Sequence, residues 1–219
     1  MNMKKRMLSI VLSGAMAVST AVSAGSFSAF AVAQCVAYSG SNVNDQDYVQ
    51  WSDTVKSYLT VCDNGNYMRV QSGAIEGKLL VEYYSSDFEP LSTKLIDNEL
   101  PIFGAFYDSS DNYYVLSGQE NPKQNDSLEV FRITKYDKNW NKIKSCGLYG
   151  ANTTVPFDAG SARMTHSGDH LLVRTCHKMY KSSDGNNHQA NVTIEVDMPS
   201  MTITDSYTGV MNVDYGYVS

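Results

Sequence analysis

Apolar residues in this chain fall into short runs that are separated by polar turns. In residues 192–196, valine and isoleucine alternate with polar side chains, which predicts a strand with one buried face. The runs 79–81 and 171–173 are apolar at every position and predict strands that are buried on both faces. Beyond the N-terminal segment, no stretch has a long helical period. The pattern therefore predicts an all-β protein.

The predicted strands recur in three similar units. The second strand of each unit follows a turn rich in Asp, Asn, Ser or Gly, and such residues favour tight hairpins. These second strands are 65–70, 111–116 and 168–173. The third strand leads into a polar turn that ends in a large residue, and these residues are Phe88, Trp140 and Met201. A more polar fourth strand follows in 91–95, 143–146 and 202–205, and we expect it at the water-exposed edge of each unit.

Three glycines mark the repeat. Gly104, Gly160 and Gly216 recur at an equal spacing of 56 residues. A period of this length, filled with short strands, is typical of a β-propeller blade. We therefore predict a β-propeller with about three four-stranded antiparallel blades and the first strand of a fourth. A β-sandwich is the alternative, but it does not explain the equal glycine spacing.

The predicted ring is incomplete. The predicted blades span residues 55–101, 102–156 and 157–212, the next blade begins in 213–219, and residues 34–54 form a lead-in segment. Propellers close with about four to eight blades. We therefore expect this sequence to be a fragment, so that either the remaining blades of a longer chain or a second copy completes the ring.

The N-terminus has the pattern of a signal peptide. A basic start at residues 4–6 precedes a mostly apolar run at 7–22, and Ala31-Val32-Ala33 fits a cleavage site. The sequence therefore predicts that residues 1–33 are removed and that the mature protein is secreted. The apolar run is short and interrupted, so we expect no membrane span.

Charge and cysteine spacing restrict the partners. The net charge of −6 argues against nucleic acid, because phosphate binding needs a basic surface. Cys35, Cys62, Cys146 and Cys176 permit two disulfides in three pairings, and free thiols are the equal alternative. No two cysteines have the spacing of a zinc motif, and we predict no metal site and no cofactor.

The third unit carries the candidate ligand-binding residues. Loops from all units are expected on one face of the propeller, around the mouth of its channel, in 71–78, 117–127, 147–158, 179–189 and 206–214. All four histidines fall between residues 166 and 188. The candidates are Arg163, Arg174, His177, Tyr180, Asp184 and His188.

These residues allow two more specific interpretations, a metal site and a nucleophile with its base. His177, Asp184 and His188 could hold a metal ion, but a surface hairpin rich in turn residues explains their spacing better. Cys176 and His177 could form a nucleophile and its base, but neighbouring residues of a strand point to opposite faces. We therefore predict no catalytic residue.

Two runs resemble a known class of protein. Residues 111–116, which read Asp-Asn-Tyr-Tyr-Val-Leu, and the turn 135–140 resemble the propeller blades of exported Gram-positive bacterial proteins of unassigned activity. The resemblance covers roughly residues 55–219. It implies a blade architecture and transfers no catalytic residue.

Two functions follow as hypotheses. The first is a secreted binding or scaffold module that holds a glycan or a protein at the channel-mouth face. The alternative is a propeller-type polysaccharide lyase or hydrolase with a site near the third blade. Convergence on the channel would favour the enzyme, and scatter over the outer surface would favour the binding module; the residues to compare are Arg163, Arg174, His177, Tyr180 and His188.

Overall fold

A computed structural model describes residues 54–158 and 162–209. All regular structure in these two ranges is β-strand, arranged as three antiparallel sheets. Within these ranges, the prediction of an all-β fold of antiparallel sheets is confirmed, with four strands in two sheets and a fifth strand in the third. No helix in the two ranges is long and apolar enough to cross a membrane. The predicted signal peptide and the glycines at 160 and 216 lie outside the described residues.

Four strands of each sheet form a meander in which a strand pairs with the next strand of the chain, and sheet C has a fifth strand outside this order. Sheet A contains β1 (Ser57–Val61), β2 (Tyr67–Ile75), β3 (Lys78–Tyr84) and β4 (Pro90–Asp97). Sheet B contains β5 (Ile102–Asp108), β6 (Tyr113–Gly118), β7 (Glu129–Tyr136) and β8 (Lys142–Tyr149). Sheet C contains β9 (Thr153–Pro156), β10 (Arg163–Ser167), β11 (His170–Lys181), β12 (Asn187–Asp197) and β13 (Thr202–Tyr207).

Sheet C departs from the predicted unit in two ways. Residues 147–158 were predicted as a loop, but they contain the end of β8 and the short strand β9, which pairs with the far half of β11. Residues 179–189 were also predicted as a loop, yet β11 and β12 extend into them until Lys181 pairs with Asn187. The predicted loop 71–78 of sheet A is likewise mostly strand, because β2 continues to Ile75, which pairs with Lys78. In sheet C, β9 gives the far half of β11 a second partner, and the hairpin extends further.

The turn between the third and fourth strands shares one backbone feature in all three sheets, although the turn of sheet C has one more residue. We call this turn the corner. Its large residue adopts a left-handed conformation, with φ of 62° at Phe88, 63° at Trp140 and 49° at Met201. A bulky side chain rarely adopts this conformation, because its Cβ approaches the neighbouring carbonyl. The predicted repeat of the turn is therefore confirmed down to its backbone angle.

Strand register corrects the alignment of the third unit. Tyr67 pairs with Tyr84 in sheet A, and Tyr113 pairs with Tyr136 in sheet B. The pair at the corresponding place in sheet C is Leu171 and Val196. The repeat pattern of the sequence aligns residue 170 with Tyr67 and Tyr113. The structure aligns Leu171 with them, so the sequence alignment is wrong by one residue.

The sheets pack face to face and form two buried cores. Residues of the core between sheets A and B include Met68, Val70, Leu79, Val81, Phe103, Phe106, Tyr113, Val115, Tyr136 and Trp140. Residues of the core between sheets B and C include Ala105, Tyr114, Leu116, Phe131, Ile133, Phe157, Leu171, Val173, Val192, Ile194, Val196 and Met201. Sheet B is thus buried on both faces. The run 79–81 in sheet A is buried at every position, as predicted, whereas the prediction for 171–173 is wrong, because no described sheet covers the outer face of sheet C and Leu172 is 38% exposed. Three successive sheets of this kind are not the two-layer β-sandwich that was the alternative.

Gly104 has a packing role. It lies at an irregularity in the pairing of β5 with β6, and the Phe157 ring lies directly over it. A Cβ atom at this position would lie 2.4 Å from Cζ of Phe157, well inside van der Waals contact. Gly104 therefore makes room for a ring that fills the B–C core.

Candidate functional site

The loop between β6 and β7 is held in place by a buried asparagine. Asn121 is only 1% exposed, and its Oδ1 accepts a hydrogen bond from the Asn125 N–H at 2.9 Å. Its Nδ2 donates to the Asn125 carbonyl at 3.1 Å and to the Tyr180 hydroxyl of β11 at 3.0 Å. Its backbone N–H donates to the Thr154 carbonyl of β9 at 2.8 Å. One side chain therefore shapes the loop of sheet B and links it to sheet C.

Tyr180 completes this link. Partial burial raises the pKa of its phenol above the ordinary value, and the neighbouring Asp126 carboxylate raises it further. The phenol is therefore neutral at physiological pH, with Asn121 as its donor and Asp126 beside it. The exposed Tyr149 is the last residue of β8, at the same end of the sheet as this loop. We call residues 119–128 together with Tyr149 and Tyr180 the loop platform.

His177 is buried in sheet C and does not belong to an open site. Its side chain is 0% exposed, and its Nδ1 lies 2.6 Å from Oγ1 of Thr153 in β9. Burial lowers the pKa of His177 from 6.5 to about 4, against the opposing effects of the Thr208 backbone and the Asp158 carboxylate. The imidazole is therefore neutral at physiological pH. The sequence missed Thr153 as its partner, because the two residues meet only through the pairing of β9 with β11.

Asp184 and His188 form a separate pair at the tip of the β11–β12 hairpin. Oδ2 of Asp184 lies 2.7 Å from Nε2 of His188, and both side chains are about half exposed. The backbone N–H of Asn186 donates to the same carboxylate, and this bond, followed by that to His188, lowers the pKa of Asp184. The described residues contain no group of three His, Cys, Asp or Glu side chains that could hold a metal ion.

Arg163 and Arg174 lie on the face of sheet C that points away from sheet B. Their Cα atoms are opposite each other in the pairing of β10 with β11. Nη1 of Arg174 donates to Oγ1 of Thr193 at 3.1 Å, and both arginines are exposed. Arg163 is also near enough to Tyr58 of β1 to act on its phenol electrostatically.

The six candidate residues therefore occupy four places. Two arginines share the outer face of sheet C, His177 is in the B–C interface, Tyr180 is on the loop platform, and the Asp184–His188 pair is at the hairpin tip. The structure brings together the two pairs but not the set. The sequence missed Asn121 and Asp126, although the density of amide and acidic residues in 119–126 was a signal that could have identified them.

The described cysteines are free thiols. Cys62, Cys146 and Cys176 form no disulfide, which decides between the alternatives for these three residues, and Cys35 lies outside the described ranges. Sγ of Cys176 lies 3.4 Å from Oδ1 of Asn191, whereas His177 bonds to Thr153. The prediction that neighbouring Cys176 and His177 do not bond to each other is confirmed.

Comparisons with known proteins give distant structural likenesses. No protein-family model matches the chain, and no curated protein matches it. A point mutant of the Synechocystis apocarotenoid oxygenase has 10% sequence identity and a TM-score of 0.46, with 70% of this chain covered. A GH43 β-1,3-galactosidase has 12% identity and a TM-score of 0.37, with 68% covered. This chain covers 38% of the oxygenase and 44% of the galactosidase, and likenesses at these TM-scores support no conclusion about activity.

Proposed function

We propose that this chain is an arc of an exported β-propeller that binds a glycan on the loop platform. The proposal has three parts: a radial arrangement of the sheets, a polar site formed in advance of binding, and export by the signal peptide at residues 1–33. The remaining blades, from a longer chain or from a second copy, complete the ring in this proposal.

The radial arrangement is supported by the order in which the sheets stack. At the first strands, Oγ1 of Thr54 donates to the Phe103 carbonyl at 3.0 Å, and the Tyr107 hydroxyl lies 2.7 Å from Nδ1 of His166. At the corners, Nε1 of Trp140 donates to the Tyr83 hydroxyl at 3.1 Å. The corner of sheet C likewise contacts sheet B, because Nζ of Lys135 donates to the Met198 carbonyl at 3.0 Å. Sheets B and C therefore each meet the preceding sheet through their first strand and their corner, as in a blade repeated by rotation.

The first strands also converge. Tyr58 of β1 packs against the A–B core and against the B–C core, although its own sheet lies on the far side of sheet B. Arg163 of β10 acts on the same phenol. Sheets stacked in parallel layers would keep β1 and β10 two layers apart. Their approach supports a fan of sheets that share a centre at their first strands.

The Asn121–Tyr180 link is the observation that carries the binding proposal. It holds a loop of amide and carboxylate groups in one conformation across two sheets, next to the half-buried Tyr180 ring and the exposed Tyr149. Rings that stack on sugars, together with fixed polar groups, suit glycan recognition. A site ordered before binding also avoids the entropic cost of ordering it on contact.

The arrangement supports binding better than the lyase or hydrolase alternative. An enzyme of that kind needs acidic, basic or guanidinium groups that converge on one substrate bond. The candidate groups of the third blade instead occupy four separate places in sheet C.

A glycan array with the full-length secreted protein tests the proposal, followed by calorimetric titration of the best ligand. We expect Tyr180→Ala to weaken binding about tenfold or more, because it removes both the ring and the link to Asn121. Tyr180→Phe, which keeps the ring, should lose less. Tyr67→Ala in sheet A is the matched control and should bind as the wild type does. Unchanged affinity in Tyr180→Ala, or an array with no ligand, would refute the proposal.

A further inference from the structure

A short segment between sheets B and C supports the loop platform. We call residues 150–157, which contain β9, the strap. The carbonyl of Thr154 accepts a hydrogen bond from the Asn121 N–H at 2.8 Å, and the carbonyl of Asn152 accepts one from the Tyr180 N–H at 3.1 Å. The strap therefore holds one residue of the loop platform from each of the two sheets.

The backbone of the strap is unusual at both of its ends. Ala151 and Asn152 have φ of 49° and 50°, and Phe157 has φ of 60°. Residues other than glycine rarely adopt this left-handed conformation, because their Cβ approaches a neighbouring carbonyl. They keep it only where the surrounding contacts hold them in place. The strap is therefore kept closed against β11 by its contacts, and the loss of one contact favours its opening.

One of these contacts joins Thr153 to His177 on the buried side of the strap. Nδ1 of His177 lies 2.6 Å from Oγ1 of Thr153, and this hydroxyl donates to the Ala151 carbonyl at 2.8 Å. Because the hydroxyl has one hydrogen, Nδ1 is the donor in its contact with the ring. The other ring nitrogen, Nε2, is buried and has no partner in hydrogen-bond geometry within the described ranges. A second proton on the ring would therefore bind at Nε2.

The strands around His177 bring no charge to it. Its pairing partners are Pro156 of β9 and Ala190 of β12. The side chain of Lys178, the next residue of β11, points to the opposite face of the strand. Sheet B faces β11 with the apolar side chains of the B–C core. An imidazolium here would therefore have little from these strands to stabilise it.

Two groups outside these strands act on His177. They are the Asp158 carboxylate and the Thr208 backbone, and Oδ2 of Asp158 also accepts a hydrogen bond from Gln189 at 2.7 Å. Burial outweighs both groups, and it lowers the pKa of His177 from 6.5 to about 4. If the strap opens and the ring meets water, the ordinary pKa returns. The open strap therefore takes up a proton more readily than the closed strap.

We propose that the strap is an acid-sensitive switch for the loop platform. Protonation of His177 favours the open strap, and opening breaks the backbone hydrogen bonds that Asn121 and Tyr180 donate to it. The loop 119–128 then loses its fixed position against sheet C. The inference adds a regulation to the site of the proposed function, and it rests on that function only for the glycan that the loop platform binds.

The difference between the two forms sets the size of the effect. Between pH 7 and pH 5, the open strap gains protons and the closed strap gains few, so the ratio of open to closed molecules rises about twentyfold. Above about pH 7 the ratio changes little, because His177 is neutral in both forms. Opening separates only the strap and the loop that it holds, so we expect it to need less free energy than global unfolding.

Amide hydrogen exchange of the full-length secreted protein measures the opening without a ligand. The reporters are the amides of Asn121, Thr153 and Tyr180, whose hydrogen bonds end on the strap. After correction for the intrinsic effect of pH on exchange, their protection should fall about twentyfold from pH 7 to pH 5. The amides of Cys62 and Ser72 in sheet A are the reference and should not follow, because their local opening does not expose His177.

A comparison with the core separates local opening from global unfolding. At pH 7 the three reporters should be less protected than the amide of Val115, which lies in the central part of sheet B. Their exchange should also be insensitive to low urea, since opening of the strap exposes little surface. Equal protection of the reporters and of Val115 would show that the strap opens only with the whole domain, and would overturn the inference.

Two histidine variants assign the response. His177→Gln should remove the pH response of the reporters, because no group then takes up a proton as the strap opens. His188→Gln, at the exposed tip of the same hairpin, is the matched control and should keep the response. A response that persists in His177→Gln overturns the inference.

A second variant keeps the inference testable if His177→Gln does not fold. Thr153→Val keeps the shape of the side chain but removes the hydroxyl that bonds to His177 and to the Ala151 carbonyl. It should lower the protection of Asn121 and Tyr180 about fivefold already at pH 7. Unchanged protection would show that this contact does not close the strap and would overturn the inference.

The control for this variant is Thr165→Val, at an exposed position of β10 that does not contact the strap, and it should leave the reporters unchanged. Because exchange is measured without a glycan, an array with no ligand would refute the loop-platform proposal and leave the exchange result as it is. Failure of the switch would appear in the exchange alone.

Discussion

The interface between sheets A and B is built around aromatic rings, whereas the interface between sheets B and C is mainly aliphatic and encloses an imidazole. In the first, the Trp140 ring lies 4.8 Å from the centroid of Tyr113, 5.5 Å from that of Tyr136 and 5.8 Å from that of Phe106. In the second, branched side chains from four strands share a core with Phe157, and His177 is buried beside Thr153.

The two interfaces share one backbone plan. First strands meet first strands in both, and in each interface the corner of the later sheet packs on a strand of the earlier one, with its large residue buried. The plan therefore sets where a side chain points, but it does not set its chemistry. The A–B interface depends on one large ring, while the B–C interface depends on many small contacts and on a histidine that stays neutral.

The largest expected effect is at the aromatic corner. Trp140→Ala should lower the free energy of unfolding by about 3–5 kcal/mol, because it removes a ring that is 4% exposed and leaves a cavity between the sheets. It also leaves the Tyr83 hydroxyl without its indole donor. Urea unfolding measures the loss, and Trp140→Phe should recover part of it. A loss below about 1 kcal/mol would show that the A–B interface does not depend on this ring.

A smaller effect on the free energy of unfolding is expected from a change of pH, and it should distinguish the two interfaces. The pKa of His177 is lower in the folded chain, at about 4, than the ordinary value of 6.5. Its stabilising contribution is therefore complete above about pH 6.5, and it is lost as the pH falls towards 4, because the unfolded chain takes up the proton first. The loss amounts to about 3 kcal/mol for one such histidine.

Unfolding by urea at a series of pH values between 7 and 4 tests this expectation. His177→Gln should flatten the decline, whereas Trp140→Phe, in the other interface, should keep the full slope of the wild type. An equal slope in wild type and His177→Gln would remove the proposed contrast between the interfaces.

The smallest effect is expected at the corner of sheet A, which lies in neither interface. Phe88 has the same left-handed backbone as Trp140 but is 59% exposed, and it stacks on Tyr67 with ring centroids 4.3 Å apart. Phe88→Ala should therefore cost about 1 kcal/mol, which is the scale of one exposed aromatic pair. The same urea series measures it. A cost as large as that of Trp140→Ala would contradict the difference in burial between the two corners.

Much of the fold was predictable from local sequence. Turn residues, short apolar runs and the large corner residue recur along the chain. Each acts on residues that are near it in sequence, so the four strands of each repeated unit were predicted. The pairing of β9 with β11 was missed because it joins residues more than twenty positions apart. Thr153–Pro156 is also too short to show a strand pattern. The one-residue error in the third unit arose because its corner carries an extra residue.

The candidate site was predicted only as a set of residue types. Arg163 and Arg174 were selected from composition, but their position opposite each other follows from strand register. His177 was expected near a ligand and is instead inside an interface. Asn121 had no motif of its own, and its role arises from contact with a strand of another sheet.

The sequence by itself determined the local order of this protein: which segments form the strands of sheets A and B, in what order turns reverse the chain between them, and that the corner repeats three times. Only the tertiary structure decided which of the repeated residues are buried and which groups meet. Phe88, Trp140 and Met201 occupy one kind of turn, yet their energetic weight differs because burial depends on the presence of a neighbouring sheet. A turn is specified by residues a few positions apart, whereas an interface is specified by side chains that are distant along the chain.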